Sequence, residues 1–188
     1  MNYLNTTYKR KKQLFLLNPF AILKKKLTLG NQFQQLLMTD TKPINKTDYK
    51  RFHNISTRWM DNDVYGHINN VTYYSYFDTA INHYLINDAG LDIHNTPIVG
   101  FVVNSKCNYL TPIAFPDVIA IGFRVNKIGN SSVTYGLAVF KEGETQASAY
   151  GSFVHVFVNR KEQKSVSIPE PIRKALEALL ILENPKSV

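Results

Sequence analysis

Between Asp61 and Tyr73, thirteen residues hold two carboxylates (Asp61 and Asp63), a glycine (Gly66), an imidazole (His67) and the adjacent amides Asn69 and Asn70. A carboxylate can take a proton from water or attack a carbonyl carbon. The stretch runs straight into a helical pattern, so unpaired peptide N–H groups at a helix start lie beside these side chains. Acid plus converging N–H donors is the equipment of a hydrolytic site, where the donors meet a developing oxyanion.

Each residue also has a plainer use. A loop aspartate such as Asp63 commonly caps a turn through its own carboxylate. For Asp61, a structural ion pair is favoured over catalysis, and Arg58 is its natural partner. Gly66 permits a backbone angle that other residues resist, and lets a ligand approach. His67 either polarises a carbonyl and orients Asp63, or holds the loop by hydrogen bonds. Asn69 and Asn70 read first as helix caps. Tyr73, Tyr74, Tyr76 and Phe77 read as core aromatics, with Tyr73 able to line a pocket as well. His53, His67, His83, His94 and His155 lack the spacing of metal ligands, so no metal site is expected.

The elements that must position this cluster follow from periodicity. Phe52, Ile55 and Trp59 mark a strand over 51–59. From Asn70 to about Asp88, the residues Val71, Tyr74, Phe77, Ile81, Tyr84 and Leu85 form a helical stripe, which Gly90 ends. Alternation then predicts four long strands: Ile98 to Tyr109, Val118 to Ile128, Val133 to Phe140 and Ala147 to Val158. Gly129-Asn130 and Glu142-Gly143-Glu144 read as hairpin turns. Pro169 and Pro171 open a last helix with Ile172, Leu176, Leu179 and Leu180 as its apolar side. The order strand, helix, four strands, helix defines an α+β fold: a long central helix wrapped by a five-stranded antiparallel sheet, with an extra C-terminal helix. Phe153 and Phe157 are expected on the outer face of that sheet, covered by a homo-oligomeric partner.

The 188 residues suit one domain. The formal charge of +8 is uneven. Residues 1–37 carry seven basic residues and no acid, whereas 38–188 carry 15 basic and 14 acidic residues. The body is nearly neutral, so no nucleic-acid partner is expected. The apolar run from Leu14 to Leu23 is too short to span a bilayer, so no transmembrane segment is expected. Residues 1–37 read first as a disordered extension or an over-called start before Met38. A secretory signal, an organellar presequence and a peripheral membrane anchor rank behind. The lone cysteine, Cys107, lies in an alternating apolar run and reads as a buried strand residue in a reducing, cytoplasmic setting.

Arg58 to Asp78 resembles the hotdog-fold acyl-CoA thioesterases of the 4-hydroxybenzoyl-CoA thioesterase type. The likeness is closest to the branch with a D-x-x-G-H-x-N-N-x-x-Y motif, matched from Asp63 to Tyr73. Asn108-Tyr109-Leu110-Thr111-Pro112, Asp117 and Gly129-Asn130-Ser131-Ser132 also resemble that family's pattern, over about residues 50–160. The resemblance implies Asp63 as nucleophile or general base, and the main-chain amide of Asn70 as oxyanion donor. It implies an acyl-CoA or acyl carrier protein thioester as substrate, coenzyme A entering as part of that substrate rather than as a cofactor. It also implies a pocket between the subunits of a homodimer or homotetramer. Ser131 and Ser132, with Lys127 and Arg124 nearby, could meet the coenzyme A phosphates, although a solvated hairpin is favoured. The rivals are a non-catalytic acyl-thioester binder and a hotdog dehydratase or hydratase.

Overall fold

The computed structural model describes residues 44–181. The readings of residues 1–37 lie outside them. Five long strands are present: β1 (Arg51–Ser56), β2 (Ile98–Tyr109), β3 (Val118–Ile128), β4 (Ser132–Lys141) and β5 (Ala149–Asn159). A two-residue strand, β6 (Lys164–Ser165), adds to β5. The helices are α1 (Asn70–Asn87) and α2 (Glu170–Ala178). The sheet is antiparallel throughout, in the order β1-β3-β4-β5-β2, and curls around α1 as the hotdog layout requires. Among the described residues, no helix is long and apolar enough to cross a membrane.

One row of paired residues crosses the whole sheet: Arg51, Phe123, Leu137, Gly151 and Cys107. Phe77 of α1 settles over it where Gly151 offers no side chain. A Cβ there would lie 3.1 Å from the Phe77 ring and 2.0 Å from the Lys106 carbonyl. Phe77, Ile81 and Leu85 are wholly buried against the inner face of the sheet. The helix ends where Ala89 donates to Tyr84 and Leu91 to Leu85, with Gly90 at φ +73.

Four expectations need correction. Phe153 and Phe157 face inward, not outward: Phe153 meets Phe77 edge-on at 5.8 Å and stacks on Tyr74 at 6.2 Å. The larger rings fill the space under the helix, and Val154, Val156 and Val158 take the half-buried outer face. In β2, a bulge between Val102 and Asn104 breaks the alternation. Cys107 and Tyr109 pair with the inward Gly151 and Ala149, while Phe101 sits opposite Val156 and faces out. At the start of α1, Tyr73 and Tyr76 are buried and Val71 is exposed. Tyr76 turns inward because its hydroxyl finds a buried acceptor, Asp61, at 2.7 Å. Finally, β1 stops at Ser56, and Trp59–Asp61 is a single 3₁₀ turn with Trp59 exposed.

The C-terminal helix packs as expected, burying Ile172 and Leu176. A bulge in β3 between Val125 and Lys127 frees the Val125 main chain, which bonds Leu179 and Ile181 as the chain leaves α2. Truncating Phe77 to alanine should lower unfolding free energy by about 3–5 kcal/mol in denaturant titration, because the ring touches both helix and sheet and leaves a cavity.

Candidate active site

Residues 61–69 form a miniature hairpin. The Asn69 amide donates to the Asp61 carbonyl at 2.8 Å, and the Asp63 amide donates to the His67 carbonyl at 2.8 Å. Asn62 and Ile68 bridge between these bonds. Gly66 turns the tip at φ +83, where its amide meets the Asp63 carbonyl at 3.1 Å. The segment 113–115, between β2 and β3, clamps the hairpin. Ile68 donates to the Ile113 carbonyl at 2.8 Å, and the Phe115 amide donates to Asn62 Oδ1 at 3.0 Å.

The Asp63 side chain is half-buried and does what loop aspartates commonly do: its Oδ1 accepts the Tyr65 amide at 2.8 Å. Its Oδ2 has no hydrogen-bond partner among the described residues, so one carboxylate oxygen is available for other work. At the helix start, the Asn69 side chain takes the Val71 amide at 3.2 Å and its carbonyl takes the Thr72 amide at 2.9 Å. That leaves the Asn70 amide without a partner among the described residues. Tyr109 of β2 donates its hydroxyl to the Asn70 carbonyl at 2.9 Å and ties the sheet to this turn.

An open cleft of about 710 Å³ gathers Asp63, Gly66, Asn69 and Asn70, walled by Trp59, Asn62, Val64 and Tyr65. The other candidates fall outside this lining. The His67 ring is exposed, and its carbonyl closes the hairpin. Tyr73 is 4% exposed and lies edge-on to Tyr109 at 5.0 Å. Ser131 lies in the β3–β4 turn and Ser132 opens β4, and their carbonyls accept the Phe157 and Gly129 amides at 2.7 Å. Cys107 is half-buried, and burial pushes its thiol up to about 11, so it carries no thiolate at neutral pH. Among the described residues, no three His, Cys, Asp or Glu side chains cluster as metal ligands.

Asp61 is the structural carboxylate of the pair. It is 2% exposed, receives the Arg58 guanidinium at 2.8 and 3.0 Å and the Arg58 amide at 2.8 Å, and accepts the Tyr76 hydroxyl. Burial pushes its carboxyl upward, but the hydrogen bonds from Arg58 and Tyr76 outweigh that and hold it below the usual carboxylate value. Reasoning from sequence anticipated Arg58 but missed Tyr76, Tyr109 and the 113–115 clamp. A tyrosine in an aromatic run gives no sign of which hydroxyl has a buried acceptor.

A long helix held in a curled antiparallel sheet, with an acid-bearing hairpin at the helix start, defines a hotdog protein. The chain belongs to the thioesterase-like superfamily, whose profile matches residues 57–176. It is 53% identical to the crystal structure of the PA5185 protein from Pseudomonas aeruginosa strain PAO1, covering 74% of this chain and 97% of that one, with a TM-score of 0.73. It is 27% identical over 129 residues to the long-chain acyl-CoA thioesterase FadM of Escherichia coli (strain K12), covering 67% of this chain and 96% of FadM. It is 28% identical over 132 residues to YsmA of Bacillus subtilis (strain 168), covering 70% of this chain and 88% of YsmA.

The stability difference between wild type and Asp61→Asn should depend on pH. A carboxyl depressed in the folded state contributes fully above its unfolded value, about 3.9, and loses that contribution as pH falls through the lower folded value. Urea titrations across the acid range should show the gap between the two proteins closing in that window and constant above it.

Proposed function

We propose that the protein is an acyl-CoA thioesterase: it hydrolyses an acyl thioester to a free acid and a thiol. The observation that carries this reading is the shared cleft. A carboxylate with a free oxygen, Asp63, and a helix-start amide without a partner, Asn70, border the same open space. In the general-base route, Asp63 takes a proton from water, whose oxygen attacks the thioester carbon. In the nucleophilic route, Asp63 attacks that carbon itself, and water then opens the resulting anhydride. Both routes put negative charge on the carbonyl oxygen, where the Asn70 N–H and the positive end of α1 receive it. Both release coenzyme A as thiolate, and neither draws on a metal or a redox cofactor. The FadM relative supports a coenzyme A donor over acyl carrier protein. His67 and Tyr73 are assigned loop and core roles before any contact with substrate. Ser131 and Ser132 are not among the residues that line this cleft.

The assembly we favour is a homo-oligomer joined along β2. That strand is an edge of the sheet, twelve residues long, and it exposes Phe101 at 45% and Val103 at 58%. An exposed apolar edge carries unpaired ladder groups that another strand satisfies. Pairing with a second copy would cover this strip, and Tyr109 carries the seam to the turn beside the cleft. The opposite edge, β1, presents Arg51 and Asn54 to solvent and suits such pairing less.

Thiol release from a panel of acyl-CoAs tests the activity. Wild type should turn over at least one member, and Asp63→Asn should lose about a hundredfold or more in kcat. Equal rates for the two proteins would remove Asp63 from the chemistry, and a silent panel with retained ligand would indicate a binding protein. For the assembly, Val103→Lys should shift the light-scattering mass in solution to that of one chain, because a charge on the pairing edge opposes the contact.

A further inference from the structure

Three segments meet on Asp61. Arg58, entering from β1, holds both carboxylate oxygens. Tyr76, on the second turn of α1, donates to Oδ2 at 2.7 Å. The Asp61 carbonyl accepts the amide of Asn69, the helix cap. One residue therefore grips α1 twice, through its side chain at the second turn and through its main chain at the cap. Asp63 lies two residues along the same hairpin strand, and Asn70 follows Asn69 directly. Asp61 thus joins the 113–115 clamp and the Tyr109 tie in setting the spacing of the acid from the free amide, and it alone among the described residues holds both the hairpin and the second turn of α1.

We infer that Asp61 is a positioning residue, with Tyr76 as its link to α1, and that together they hold the Asp63 carboxylate and the Asn70 amide at the separation the reaction needs. The inference rests on the hydrolase reading above. Asp61 itself is enclosed and does not line the cleft, so it acts through the hairpin and not on substrate. A purely stabilising ion pair with an exposed arginine would make a different prediction: loss of the Tyr76 hydroxyl would lower stability and leave the chemical step intact.

Tyr84 supplies the control. It stands on the same helix, nearer its C-terminal end, and donates its hydroxyl to the Ala175 carbonyl at 2.8 Å, away from the hairpin. Tyr76→Phe and Tyr84→Phe each delete one hydroxyl and keep the ring. Their melting temperatures, kcat and KM on a turned-over acyl-CoA, and hydrogen exchange at the Asn69 amide are compared with wild type. Tyr76→Phe should lower kcat about ten- to a hundredfold with KM within about twofold, and should speed Asn69 exchange. Tyr84→Phe should keep kcat within about twofold and leave Asn69 exchange unchanged, even where its melting temperature falls as far. Rate losses that follow melting temperature equally in both variants would overturn the positioning role. So would turnover that is lost in Asp63→Asn but unchanged in Tyr76→Phe, and that result would leave the hydrolase reading standing. A wild-type protein that releases no thiol would overturn the hydrolase reading and this role with it.

Discussion

A helix must begin somewhere, and its first peptide hydrogens have no earlier turn of carbonyls to meet. The start of α1 deals with them unevenly. Asn69 takes two, one through its side chain and one through its carbonyl, and Asn70, which borders the cleft, keeps a donor without a partner among the described residues. The residue types follow from this constraint. Asparagine suits the cap because a short amide reaches back to the second helical amide. Glycine suits position 66 because the chain must reverse at positive φ within a very short hairpin. The acid at 63 then stands one hairpin strand away from the donor.

The donor's direction depends on how firmly α1 is held against rotation. Phe77 over Gly151 fixes one point on the axis, and Phe153 braces that ring from the side. Nearer the front, Tyr76 on Asp61 and Tyr109 on the Asn70 carbonyl fix two more, from different directions. The first is held by shape and the others by hydrogen bonds. Apolar packing tolerates small slides of one surface on another. A buried hydroxyl on a carboxylate does not, because a lost bond leaves the enclosed Asp61 charge with only its Arg58 donors. Packing at Phe77 therefore holds α1 on the sheet, and the hydrogen bonds at Tyr76 and the Asn70 carbonyl hold its start in direction.

The same distinction explains what could be read from the residues alone. Strand positions were legible because alternation is a repeating signal, and β2 and β3 match the expected bounds at both ends. Helix length and cap were legible because Asn69 and Gly90 bracket an apolar stripe. Which face of a strand looks inward was less so. In β5, Val154, Val156 and Val158 alternate with Phe153, His155 and Phe157, both faces carry apolar residues, and the space beneath α1 decides that the phenylalanines go inside. In β2, a single extra residue near Val103 reverses the facing of everything after it, and no residue type there announces a bulge. At the site, the hairpin and the cap follow from local spacing. The contacts of Tyr76 and Tyr109 do not, since they join residues 15 and 39 positions apart.

The cleft's openness is itself an argument about how the site works. Val64 and Tyr65 at the hairpin tip are 95% and 83% exposed, and Trp59 leans edge-on against Phe115 at 5.9 Å beside them. Apolar groups this exposed beside a carboxylate leave Asp63 in contact with water, where charge–dipole interactions are weak. An oxyanion donor gains strength only when water is excluded around it. A surface that covers this rim, whether the substrate's acyl group or a second copy meeting the apolar edge of β2, would remove water from around the acid and the amide together. Substrate binding or assembly would then do more than bury hydrophobic area: it would strengthen the two interactions on which the proposed chemistry depends.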